Sequence, residues 1–219
     1  MSLTLHLNYA SPFCRTVVFV TKQLDIQFRE VVIDLVAKQQ LKPEFLKLNP
    51  RHLVPVLVDE SNGLVISESR AIVRYLCNKY AADSPLYPRN PVIRALVDEV
   101  LDFDLGTLAP ALKAIRATKF FGGGTPTDQQ LKTLNDNLRV LDEKVAKNGG
   151  YAATGHLTIA DLSIATQLLT VEEDDLKDFP NVKHWYSETL AKELGTVYRE
   201  INGKGSEAVK QRLDRIRGK

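Results

Sequence analysis

The chain has 219 residues, 44% hydrophobic and 26% charged, with a formal net charge of +2. That length suits one large or two small domains with a real core, and the near balance of charge gives no reason to invoke nucleic acid. Two cysteines, Cys14 and Cys77, make no disulfide framework and favour reducing surroundings, and no apolar run approaches the ~18 residues of a membrane span. Met1 to His6 show neither a charged lead nor a long apolar stretch, so a cytoplasmic protein without a membrane partner is expected.

Leu3, Leu5 and Leu7 alternate with polar residues, which predicts a half-buried strand ending near Tyr9. Ser11-Pro12 then reads as an N-cap followed by the first helical position, with Phe13, Val17, Val20 and Leu24 on one helical stripe behind it. Phe28 to Ile33 is a second strand, so the opening is a parallel strand–helix–strand crossover. A short helix covers Leu41 to Leu48. Val56–Val58 and Leu64–Ile66 flank Ser61-Asn62-Gly63, a hairpin signal, and a helix from Ser67 to about Tyr80 closes this half.

Residues 81–91 carry three prolines and no periodicity, and read as a linker. Everything from 92 to 219 is helical in pattern. One long helix is expected from Val92 to about Lys119, broken at Gly122-Gly123-Gly124. A second carries Leu131, Leu134, Leu138, Leu141 and Val145. Thr158 and Asp161 form a capping box ahead of an apolar run, Ile159 to Leu169, that should be the buried centre of the second domain. Further helices lie around Trp185, Tyr198 and the mildly basic tail.

The chemistry concentrates in three places. Ser11 stands at a helix N-terminus, which stabilises negative charge, with Cys14 inside the first turn as a packed residue. Pro55 enters an apolar, β-branched run, a position suited to a cis bond that turns the Val54 backbone outward for an extended peptide to pair with. Glu68-Ser69-Arg70 opens a helix whose free amides suit a carboxylate. Together they describe a seat for a small, charged, peptide-like ligand.

In order and spacing these features resemble the serine-type cytosolic glutathione transferases, most closely the insect delta and epsilon classes. The likeness runs through Leu41-Lys42-Pro43-Glu44-Phe45-Leu46-Lys47-Leu48-Asn49-Pro50, the Pro55 turn, Glu68-Ser69-Arg70-Ala71-Ile72, Phe103-Asp104-Leu105-Gly106-Thr107-Leu108 and the Thr158–Asp161 box. The resemblance implies an α/β thioredoxin-like N-terminal domain, βαβαββα with a mixed sheet, over 1–80. A linker over 81–91 and an all-α domain over 92–219 would follow.

It also implies roles. Ser11 would donate a hydrogen bond to the sulfur of glutathione, a co-substrate, with no metal or other cofactor. The Val54 backbone, beside Pro55, would pair with the cysteinyl part. Glu68 would accept from the γ-glutamyl ammonium, and Ser69 and Arg70 would hold its carboxylate, a match of charge types. His52 and Gln40 would face the glycyl end, Gln40 standing where delta enzymes often have a histidine. Hydrophobic electrophilic small molecules would meet the thiolate in a pocket lined by Phe13, Leu108, Leu112, Ile115, Arg116 and Phe120. The partner expected for the chain is a second copy, in a homodimer to which Arg74, Asp98, Asp102 and Asp104 would contribute. The implied activity is glutathione S-transfer in detoxification. The alternatives are a catalytically weak glutathione-binding ligand carrier and a glutathione-dependent isomerase or peroxidase.

Overall fold

The computed structural model describes residues 2–216 and Gly218. Met1, Arg217 and Lys219, which belong to the expected domain bounds and basic tail, lie outside the described residues, as does the side chain of Phe121. Two compact units emerge: Met1–Ala82 together with Arg199–Lys219, and Asp83–Tyr198.

The first unit runs β1 (Leu3–Leu7), α1 (Pro12–Gln23), β2 (Arg29–Val32), α2 (Pro43–Leu48), β3 (Val56–Asp59), β4 (Leu64–Ser67) and α3 (Ser69–Tyr80). The sheet order is β2-β1-β3-β4, with β1 and β2 parallel and the other pairs antiparallel. This is the expected βαβαββα order. The three leucines of β1 are buried because β1 is an inner strand, and Val17, Val18 and Val20 of α1 and Ile72, Val73 and Leu76 of α3 are buried as well. Arg29–Val32, one of the two edge strands, is largely exposed. The end of the chain also packs in this unit, where Arg215 Nη1 donates to Asp34 Oδ2 at 2.8 Å. A cavity of 390 Å³ lies between that segment and residues Asn8, Tyr9, Val32 and Leu35.

The second unit is helical: α4 (Pro91–Phe103), α5 (Ala109–Arg116), α6 (Asp128–Lys147), α7 (Ile159–Leu168), α8 (Pro180–His184) and the start of α9 (Leu190–Ile216). The long helix expected over 92–119 is present but wider-wound over Asp104–Leu108 and Ala117–Phe121, where the turns are π-helical. Within α9, Gly195 leaves helical geometry at φ 53°, a left-handed conformation that glycine adopts freely. Every residue of α7 is buried, as its all-round apolar sequence requires. The carboxylate of Asp161 anchors this helix. It accepts from the Thr158 N–H at 2.9 Å and hydroxyl at 2.8 Å, the Ala152 N–H at 2.7 Å and the Trp185 indole N–H at 3.2 Å. Tyr87 and Leu86, in the segment read as linker, are buried, and the Leu86 carbonyl accepts from Ile159 N–H at 2.9 Å. No helix among the described residues is long and apolar enough to cross a membrane.

Candidate active site

Strand register gathers the three places singled out in the sequence. His6 of β1 pairs with Val56 of β3, and Val56 pairs with Ser67 of β4. The chain leaving β1, entering β3 and leaving β4 therefore shares one end of the sheet. Ser11, Val54-Pro55 and Glu68-Ser69-Arg70 all lie within a few residues of that row along the chain. A direct contact closes the arrangement: the Arg70 guanidinium lies 5.7 Å from the centroid of the Phe13 ring.

Ser11 sits ahead of Pro12 with extended dihedrals (φ −83°, ψ 120°), and its hydroxyl caps no amide of α1. No acidic residue occupies the first turn, so the positive end of the helix is left for an incoming anion. Cys14 is fully buried beneath it and takes the Asn8 N–H on sulfur at 3.4 Å. Burial pushes the Cys14 thiol up to about 11, against hydrogen bonds from Asn8 and Ser11 that lower it. Cys14 is thus a packed thiol and not a nucleophile at neutral pH. Arg15, to which the sequence assigned no role, is buried and ties down the loop before α1 by donating to the Tyr9 carbonyl at 2.6 Å.

The Val54–Pro55 peptide is cis. Val54 packs its side chain beside Ile33, Phe45 and Val56. The turn leading to it is organised by buried Asn49. Its Nδ2 donates to Leu53 O at 2.9 Å, its Oδ1 accepts from Arg51 N–H at 3.1 Å, and its carbonyl accepts from His52 N–H at 2.9 Å. His52 is exposed and left-handed (φ 49°). Asn49, like Arg15, has a role that sequence reasoning missed, although an Asn-Pro pair before a turn is its signal.

Glu68 caps nothing with its side chain, holds φ 71° and ψ 107°, and is exposed. A non-glycine residue in that region costs about 1–3 kcal/mol and clusters at functional sites. Its carboxylate is paired with Arg51. Ser69 and Arg70 are buried at the first turn of α3, which carries no acidic residue. Gln40, in the segment after β2 at the same end of the sheet, donates to Leu35 O at 3.4 Å.

The sequence and fold match those of known proteins. Residues 10–79 match the model of the glutathione S-transferase N-terminal domain, and residues 100–193 that of its C-terminal domain. Glutathione S-transferase D7 of Drosophila melanogaster is 40% identical over 187 residues, covering 84% of this chain and 82% of the relative. A delta-class glutathione transferase of Nilaparvata lugens superposes with a TM-score of 0.87 at 36% identity, covering 98% of this chain and 99% of that one. An epsilon-class enzyme from the housefly, Musca domestica, gives 0.82 at 32% identity, covering 99% and 97%. The chain belongs to the insect delta/epsilon glutathione S-transferases.

The first unit of this transferase is accordingly thioredoxin-like and the second the family's helical domain. Among residues expected to line an electrophile pocket, Leu108, Leu112 and Ile115 are buried in the helical unit, and Phe120 is half-buried. Phe13 is half-buried under Arg70. Arg116 turns its guanidinium to α7, donating to the Gln167 carbonyl at 3.1 Å and its Oε1 at 3.2 Å. Burial lowers its pKa to about 10, against the favourable charge of Asp104. Asp104 corrects an expectation. Expected at the subunit contact, it is instead fully buried within this chain and accepts from the Ser163 hydroxyl at 2.6 Å.

Proposed function

We propose that this transferase activates the thiol of glutathione as a thiolate for attack on hydrophobic electrophiles. A free thiol with pKa ~8.5 is only a few per cent ionised at neutral pH, and each unit of lowering is worth ~1.4 kcal/mol. The Ser11 hydroxyl, donated to sulfur, and the open N-terminus of α1 supply about two units between them. Ser11 is an activator and not the nucleophile.

The tripeptide lies across the row His6–Val56–Ser67, with its cysteinyl backbone along Val54 beside Pro55. Glu68 accepts from its ammonium. Ser69, Arg70 and the first-turn amides of α3 take the γ-glutamyl carboxylate, and His52 and Gln40 serve the glycyl end. The observation that carries this reading is the convergence of the three segments on one register row, closed by the Arg70–Phe13 contact. Within the helical unit, Leu108, Leu112, Ile115, Arg116 and Phe120 serve the electrophile. The enzyme works in the cytoplasm in detoxification, as a homodimer.

The test is turnover of a chloro-nitroaromatic acceptor. Ser11→Ala lowers kcat about 10- to 100-fold, the worth of one hydrogen bond to a charged group. Unchanged turnover removes Ser11 from the mechanism.

A further inference from the structure

Glu68 is the acceptor assigned above to the ammonium of glutathione, yet its carboxylate already has a cation. Arg51, from the turn before Pro55, pairs with it. The pair is pre-organised from both sides. Buried Asn49 fixes the Arg51 backbone through its Oδ1 at 3.1 Å and holds the turn through Leu53 O at 2.9 Å. Glu68 is fixed by its own left-handed backbone at the start of α3. An ammonium arriving at Glu68 must therefore share the carboxylate with, or displace, a guanidinium that the fold delivers to Oε1.

We infer that Arg51 is a positioning residue that stands in for the ligand ammonium at Glu68 and sets glutathione affinity by competing with it. This rests on the glutathione reading of the site and names the residue that tunes it. Both side chains are largely exposed, 64% for Arg51 and 54% for Glu68, so the competition is modest. It keeps the carboxylate oriented when the site is free. Its cost falls on ligands that carry the ammonium and not on ligands that lack it.

The experiment compares glutathione with glutarylcysteinylglycine, the same tripeptide without its α-amino group, by calorimetric titration of the full-length protein. In Arg51→Gln, glutathione binds about two- to five-fold more tightly while the des-amino analogue keeps its wild-type affinity. Arg51→Lys, which retains the cation, behaves as wild type. Equal shifts for both ligands, or weaker glutathione binding in Arg51→Gln, overturn the inference and leave the site assignment standing. Wild-type protein that binds neither ligand overturns the site assignment, and the inference with it.

Discussion

The β3–β4 hairpin carries an acidic residue at each end of its ladder, and the fold treats the two in opposite ways. Asp59, at the far end from Ser11, is fully buried and satisfied. Its Oδ2 accepts from Lys79 Nζ at 2.7 Å, the Tyr75 hydroxyl at 2.6 Å and the Tyr80 hydroxyl at 2.7 Å. Its Oδ1 accepts from the Ser61 N–H at 3.0 Å and hydroxyl at 2.5 Å. Glu68, just beyond the other end, is exposed, sits in a costly backbone conformation and is paired with Arg51. One carboxylate spends its acceptors on holding α3 to the hairpin. The other is kept reachable. Buried and satisfied groups specify structure, whereas strained and open ones mark where a ligand enters.

The largest effect expected from this contrast is on stability at the closed end. Asp59→Ala leaves the Tyr75 and Tyr80 hydroxyls and the Lys79 ammonium without their shared acceptor, and should cost about 3 kcal/mol in denaturant unfolding. A loss below ~1 kcal/mol would show the cluster to be ornamental. The same network gives a pH dependence. Burial alone would raise the Asp59 pKa, but the Lys79 ammonium and the three hydroxyls outweigh it and hold the carboxyl well below the usual range. Since the folded value lies below the unfolded one of ~3.9, this stabilisation is fully present above pH ~4 and lost as pH falls through the folded value. Acid unfolding should therefore be steeper in wild type than in Asp59→Ala.

At the open end the signs reverse. Glu68→Gly relieves the positive φ and should raise stability by about 1 kcal/mol. It should also weaken glutathione about 10-fold or more through loss of the charged acceptor. Thermal melts and binding titrations on one sample check both. A variant that is less stable and binds normally would mean that Glu68 is structural.

Much of the first unit was legible because its signals are local. Ser11-Pro12, Asn62-Gly63 and Pro55 each dictate a backbone conformation within a few residues, and alternating leucines name the buried strand. Charge type made Glu68-Ser69-Arg70 a candidate ligand seat from the sequence alone. What escaped is non-local or finer than the pattern. Arg51 and Glu68 are seventeen residues apart, and only the folded turn brings them together. The π-turns at Asp104–Leu108 and Ala117–Phe121 shift a helix by a fraction of a turn, which a 3.6-residue apolar stripe does not resolve. The grouping of Arg199–Lys219 with the first unit depends on what an amphipathic helix packs against, and the helix's own sequence does not name that partner. Asp104 illustrates the same gap. A carboxylate in a helix reads as solvated until its buried hydroxyl partner, Ser163, comes into view.

The claim on which all else depends is that the end of the sheet marked by His6, Val56 and Ser67 lowers the pKa of a bound thiol through Ser11. The most direct measurement is ultraviolet difference spectroscopy of the thiolate band of bound glutathione as a function of pH. In wild type the thiol should titrate about two units below its free value of ~8.5, and in Ser11→Ala it should move back toward it. Identical titrations in the two proteins, or a wild-type value at ~8.5, would contradict the account.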